Sequence, residues 1–252
     1  MADTTNSRDT RGRPIFNWLT INGGDAWPAR LIQLATGMNH VATLAPVSGV
    51  YLVPERAVSA SPSRLAWMIR NANSLAPQDG RQWKVLRRRV ENRKAVQRAL
   101  ALLEAGKTDG IPRSLVLEGT THADCLIECE RAFIWIEGKR FDWLSPSTTW
   151  DVARDQLARN LEAVASLASS FSRDYCLLIC HEYPLKHHEI ALVNGYRAGT
   201  WAGGWPHLPE DQRREFATRI GTVTWGTIAT EWPSLRTLPE LHDLERERSR
   251  AD

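Results

Sequence analysis

No stretch of this sequence approaches the 18 or so uninterrupted apolar residues of a membrane span, and its opening, MADTTNSRDTRG, lacks the apolar run of a secretory signal. A cytoplasmic chain with no membrane partner is expected. Cysteine is scarce, with four residues placed as Cys125/Cys129 and Cys176/Cys180 inside apolar runs. On a strand, residues four apart lie about 13 Å from each other, too far to share a disulfide or a metal ion. They are expected to be small core side chains in a reducing compartment. Also absent are an internal repeat, a G-x-G-x-x-G or Walker pattern behind a strand, and the HExxH spacing that sets two imidazoles on one helical face. A phosphate-cradling glycine loop and zincin chemistry are thereby excluded. Lysine is rare, 5 residues against 27 arginines, and a net charge of +3 is too mild to argue alone for a polyanionic partner.

What is present is ordinary globular composition, 42% apolar and 24% charged, in a length suited to one catalytic domain with appendages. The pattern divides into a disordered tail (1–12), an N-terminal accessory region (13–80), a core (81–185), an extension packed on the core (186–235) and a charged tail (236–252). Short apolar runs such as Val50 to Val53 occur in the accessory region. In the core, a Pro-Gln-Asp-Gly turn at 77–80 precedes helical spacing from Trp83 to Leu103, one helix of about seven turns ending at Gly106. Strands are expected at 114–118, 123–129 and 132–139, then an amphipathic helix at 151–168. YCLLIC, at 175–180, is a strand buried on both faces. A helix opening at Pro209 to Asp211 and another helical stretch near Trp225 to Trp232 follow. The fold class is α/β, a central mixed sheet of about four or more strands flanked by helices.

Pairing 123–129 with 132–139 as a hairpin turning at Glu130-Arg131 sets Asp124 opposite Glu137, Leu126 opposite Trp135 and Glu128 opposite Phe133. Alternation then gathers Asp124, Glu137 and Lys139 on one face, with Cys125, Ile127, Cys129, Ile134 and Ile136 on the other. A one-residue slip would put all three charges in the core, so the register is self-consistent. Two carboxylates at cross-strand distance repel, and their oxygens suit Mg2+ or Mn2+, with the Gly138 carbonyl as a further ligand. Such an ion polarises a phosphate oxygen and lowers the pKa of bound water, while Lys139 orients that water or stabilises developing negative charge. Phosphodiester hydrolysis is the reaction this set suits.

Asp124, a twelve-residue spacer and Glu137-Gly138-Lys139 resemble the D…(D/E)XK signature of the PD-(D/E)XK nuclease superfamily. The order of helix, three strands, helix and strand is similar to that superfamily's core, and LEGTTHADCLIEC, IWIEGKR and TTWDVARDQLARNLEA resemble uncharacterised restriction-endonuclease-like bacterial proteins. The resemblance covers residues 81–185. It implies a restriction-endonuclease-like core and a Mg2+-dependent nuclease, acting first of all on DNA, in which Asp124 and Glu137 bind metal and Lys139 serves catalysis. Glu118 is carried over as an auxiliary carboxylate and Gln156 as a contact to phosphate or metal-bound water. Ala123 stands where the signature has proline, and the helix-borne acid is either Glu91 or Glu104. A homodimer would let two sites cut both strands of a duplex. The same resemblance admits an alternative, a nucleic-acid-binding or assembly module that has lost turnover; an intact Asp124, Glu137 and Lys139 set favours the enzyme.

Arg81, Lys84, Arg87, Arg88, Arg89, Arg93, Lys94 and Arg98 stand against Glu91 alone, a basic face that is either solvated surface or a phosphate contact. Arg88, Arg89 and Lys94, with Arg140 and Lys186 elsewhere, are the candidate nucleic-acid contacts, and binding through them would weaken steeply with salt. HEYPLKHHE, from His181, reads as a loop at a strand end bordering the cleft. Trp201 and Trp205, in GTWAGGWPH, either pack between lobes or in a dimer contact, or stack on bases.

Overall fold

The computed structural model describes residues 8–37, 51–77, 79–139, 144–182, 185, 187–199 and 204–241, without the side chains of residues 54 and 187–189. A π-helical turn over Arg8–Gly12 leads into α1 (Arg13–Asn22) and α2 (Trp27–Leu34). Next come β1 (Tyr51–Pro54), β2 (Ala57–Val58), α3 (Pro62–Arg70), α4 (Gly80–Glu91) and α5 (Arg93–Glu104). Past a 3-10 turn at Arg113–Leu115 lie β3 (Thr121–His122), β4 (Cys125–Glu128), β5 (Ala132–Lys139), α6 (Gln156–Ser170) and β6 (Asp174–His181). The described chain ends with α7 (His187–Arg197), α8 (Glu210–Ala217), β7 (Ile220–Thr224), α9 (Trp225–Glu231) and two 3-10 turns. No helix among the described residues is long and apolar enough to cross a membrane.

The main sheet has five strands in the order β1-β4-β5-β6-β7, and β2 pairs with β3 in a separate ribbon. Neighbours run antiparallel from β1 to β5 and parallel from β5 to β7, so the expected mixed α/β sheet is present. The hairpin of β4 and β5 takes the register read from alternation, with Leu126 opposite Trp135 and Glu128 opposite Phe133. β5 is buried at every position because it is the middle strand and helices cover both faces. Its alternate residues feed two cores. Ile134 and Ile136 meet Phe16, Leu19, Trp27 and Trp225 from α1, α2 and α9, while Phe133 and Trp135 meet Leu157, Leu161 and Val164 of α6. Met68, Leu86, Leu103 and Leu115 build a third cluster among α3, α4 and α5.

Several expected elements differ, each for a local reason. The single helix expected from Trp83 to Gly106 is two, because the Asn92 side chain caps the second by accepting from the Ala95 N–H at 3.1 Å. The strand expected at 114–118 is a 3-10 turn; Leu115 and Leu117 fill the third helical cluster instead of joining the sheet. The helix expected from Asp151 starts at Gln156, where Asp155 accepts from the Ala158 N–H. Arg8–Gly12, placed in a disordered tail by composition, is an ordered turn with Arg11 buried. β7 was not expected at all. Trp205 packs in the core against Tyr196 and Phe216 and donates to the Ala158 carbonyl at 3.0 Å, so it offers no face to a base. Trp201, Arg140, Lys186 and the end of the charged tail lie outside the described residues.

All four cysteines are buried and reduced. Burial pushes the Cys125 thiol up to about 12 and the Cys129 thiol up to about 11, and it raises Cys176 and Cys180 in the same direction. Thiolate is the reactive form. Native protein at pH 8 should therefore resist alkylation that modifies all four cysteines in denaturant; modification of any of them in the native fold, read by mass spectrometry, would refute this packing.

Candidate active site

The candidate site lies at the C-terminal end of β5. Glu137 and Lys139 project from it on the side that α6 covers, and they are 3% and 7% exposed, so each charge needs partners within the protein. Lys139 Nζ lies 2.8 Å from Glu137 Oε1. Two amides on the first turns of α6 complete the cradle: Gln156 Nε2 donates to Glu137 Oε1 at 2.6 Å, and Asn160 Nδ2 donates to Oε2 at 2.7 Å. They are four residues apart, hence stacked on one helical face. Each amide is itself oriented, Gln156 Oε1 accepting from the Ser145 N–H at 3.0 Å and Asn160 Oδ1 from the Thr121 hydroxyl at 2.8 Å.

Asp124, half-buried just ahead of β4, reaches across the hairpin, where its Oδ2 accepts from the Gly138 N–H at 2.8 Å. An extended residue points its N–H and C=O to the same strand edge, so the Gly138 carbonyl faces the Asp124 side as well. From the opposite face, Trp225 Nε1 donates to the Lys139 carbonyl at 3.3 Å and anchors the strand end. Helix α6 begins with Asp155, whose Oδ2 accepts from the Tyr196 hydroxyl at 2.6 Å; burial raises the Asp155 carboxyl against the pull of that bond. The N-terminal turn closes on the same end of the sheet. Arg11, fully buried, donates to Glu182 at 2.6 Å just past β6. The Arg8 guanidinium pKa is raised, first by its hydrogen bond to Asp9 and, more weakly, by the field of Asp124.

Asp124, Glu137, Gly138, Lys139 and Gln156 are thus brought together. Asn160 belongs with them and was missed, although its position one turn after Gln156 on an amphipathic helix marked it. Among the described residues no three His, Cys, Asp or Glu side chains converge as a metal site. A hard cation here would take Asp124, Glu137 and the Gly138 carbonyl, a set that fits Mg2+, which binds through one or two carboxylates and keeps several waters. Among the described residues three donors sit on Glu137, so the ion would use a remaining lone pair or displace one donor.

Glu118 is placed in different contacts. Arg154 grips it bidentately at 2.7 and 2.8 Å, and Arg64 Nε lies 3.4 Å away. Arg64 also donates to Asp151 at 2.8 Å, and Arg154 lies 3.0 Å from Glu162 Oε2, so two guanidiniums face three carboxylates out of water. Arg154 further donates to the Gly204 carbonyl, an approach only glycine allows, since a Cβ there would lie 2.4 Å from the Tyr196 hydroxyl. Neither helix acid points to Glu137. Glu91 is exposed and Glu104 pairs with Arg70 at the surface.

Of the candidate nucleic-acid contacts, Arg88 and Arg89 line a 360 Å³ surface pocket at the junction of α4 and α5, with Arg89 stacked over Trp150 at 4.8 Å. Lys94 is exposed on the first turn of α5. The stretch from His181 divides between the end of β6, the Glu182 pair with Arg11, and the start of α7.

Burial alone would push the Glu162 carboxyl up, but Arg154, with hydrogen bonds from His207 and Ser61, outweighs it and holds the group down at about 2. The folded value lies below the unfolded 4.5, so this contribution to stability is full above 4.5 and disappears as pH falls toward 2. Arg154→Met should cost about 3–5 kcal/mol in urea unfolding at neutral pH and move acid unfolding to higher pH; an unchanged acid midpoint would show that Arg154 does not hold Glu162 ionised. Comparison of the chain with protein-family models, with curated proteins and with solved structures gives no match to any of them.

Proposed function

We propose that this protein is a metal-dependent nuclease that hydrolyses phosphodiester bonds of nucleic acid, DNA foremost, on a restriction-endonuclease-like core. The observation that carries the reading is the buried Glu137–Lys139 pair at the end of a central strand, with Asp124 reaching across to the intervening Gly138. An ion pair kept out of water costs desolvation and is weak evidence of stability, so its place beside a second carboxylate points to chemistry. The antiparallel β4-β5 hairpin followed by α6 and the parallel β6 supports the fold assignment.

In this reading Asp124, Glu137 and the Gly138 carbonyl hold Mg2+ or Mn2+, which when bound supplies Lewis-acid polarisation of a phosphate oxygen and acidifies water. The chain's own groups do the rest. Gln156 and Asn160 fix the Glu137 rotamer, so the carboxylate needs no reorganisation when substrate arrives. Lys139 places a positive charge where negative charge develops on the phosphoryl oxygens, and its pairing with Glu137 keeps the ammonium oriented. Arg88, Arg89 and Lys94 contact the phosphate backbone, and a homodimer would bring two such sites to a duplex. A nucleic-acid-binding module without turnover is the second reading, favoured by the donors that Glu137 already has among the described residues, Gln156, Asn160 and Lys139.

Labelled plasmid, linear duplex, single-stranded DNA and RNA incubated with Mg2+ or Mn2+ decide between them. Wild-type protein should cleave at least one, with Glu137→Ala and Lys139→Ala reducing the rate by about 10²–10³-fold or more and a chelator abolishing it. Gln156→Ala and Asn160→Ala should retain part of the rate. Absence of cleavage on every substrate, with salt-sensitive binding intact, would establish the module. Arg88→Ala should weaken binding evenly across sequences and lower the salt slope by about 1.

A further inference from the structure

Beside the Glu137–Lys139 pair, the parallel strands carry a second feature that phosphodiester hydrolysis does not use. The register sets Lys139 next to His181 and His181 next to Thr224, one row across β5, β6 and β7. Strand alternation puts Thr222 and Thr224 on the same face as His181. Over that row, between α7 and the end of α2, is a pocket of 320 Å³. Neighbouring strands lie about 4.8 Å apart, so the pocket floor starts one strand spacing from Lys139 and ends two away, about 10 Å. It opens at the carboxyl ends of parallel strands, where open α/β sheets place their ligands.

The described lining suits a molecule with apolar faces and a hydrogen-bonding edge. Leu34, Ile190 and Val193 give aliphatic walls. Among the described residues the lining has one guanidinium, Arg197, turned to the carbonyls of Thr36 and Ile220 at 2.8 and 3.4 Å, and no carboxylate. Polar capacity comes from groups that both donate and accept. The Asn194 carboxamide makes no hydrogen bond to a described residue, and the Thr224 and Thr227 hydroxyls lie 2.8 Å apart, so one proton bridges them and one is left over. Base edges carry the matching mixture of donors and acceptors, and extracted bases are commonly held between apolar side chains.

We infer that this pocket holds the unpaired base of the nucleotide next to the scissile phosphate. The inference rests on the nuclease reading and deepens it: the preferred substrate is a strand with at least one unstacked nucleotide, single-stranded or frayed at the cut. A base still paired within a duplex would not enter.

Two measurements test it separately from catalysis. Calorimetric titration of the wild-type protein with the four deoxynucleoside 5′-monophosphates, and with deoxyribose 5-phosphate and inorganic phosphate as base-free probes, should show binding only where a base is present. Ile190→Trp and Asn194→Trp fill the pocket from exposed rim positions, and each should weaken mononucleotide binding at least tenfold while leaving the melting temperature unchanged. Equal binding of the base-free probes, or no effect of either variant, overturns the pocket assignment. In cleavage, a single abasic nucleotide walked along a single strand should slow the cut at least tenfold only when it flanks the scissile bond, and Ile190→Trp should add no further loss on that substrate. Mononucleotide binding without cleavage would sustain the pocket and remove the nuclease reading; cleavage indifferent to the abasic position would remove the pocket and leave the nuclease.

Discussion

A carboxylate buried at the end of the central strand must be solvated by the protein itself, and much of the architecture around Glu137 follows from that requirement. Its oxygens take two amides from α6 and one ammonium from its own strand. An unpaired charge at that depth would be neutralised or would destabilise the fold by several kcal/mol. The amides therefore lock α6 to β5 in one register, since a rotation by one residue would swing Gln156 and Asn160 off the carboxylate together. The aliphatic contacts of Leu157 and Leu161 tolerate small shifts; the hydrogen bonds do not. Polar contacts set the position while apolar ones supply the bulk of the driving force.

The second buried charge cluster extends this division of labour. Arg154 and Glu118 join the segment before α6 to the stretch ahead of β3, and Arg64 ties α3 to both. Such clusters contribute little net stability compared with apolar packing, but they penalise every alternative arrangement that would separate their members. The loop that carries Gly204 is drawn onto α6 by the same arginine.

The hairpin was legible in the sequence because its two periods agree: alternate residues of 123–139 separate charged from apolar side chains, and only one register keeps them apart. YCLLIC was legible because a strand buried on both faces has few polar positions. Asn92 was not, since a capping side chain inside a continuous helical period looks like one more polar surface residue. β7 was hidden by its composition: Ile-Gly-Thr-Val-Thr is short and glycine-containing, and its place is set by pairing with β6 across the 38 residues between them. Glu118 and Gln156 looked alike as polar residues near the hairpin, and only three-dimensional neighbours separate them. Gln156 meets Glu137, whereas Glu118 meets two arginines that no local pattern connects to it.

Thr36 pairs with the outer edge of β7, its N–H and carbonyl both bonded to Thr222, 186 positions along the chain. The border strand is therefore sealed by a residue made long before it. Loop-closure entropy opposes that contact until the parallel strands between are in place. During synthesis the segment around Thr36 must wait for β7 to leave the ribosome, and the growing sheet meanwhile presents β6 as an open edge. Closure of this border is thus postponed until β7 has been made, a kinetic cost of sealing a sheet edge with a segment 186 positions upstream.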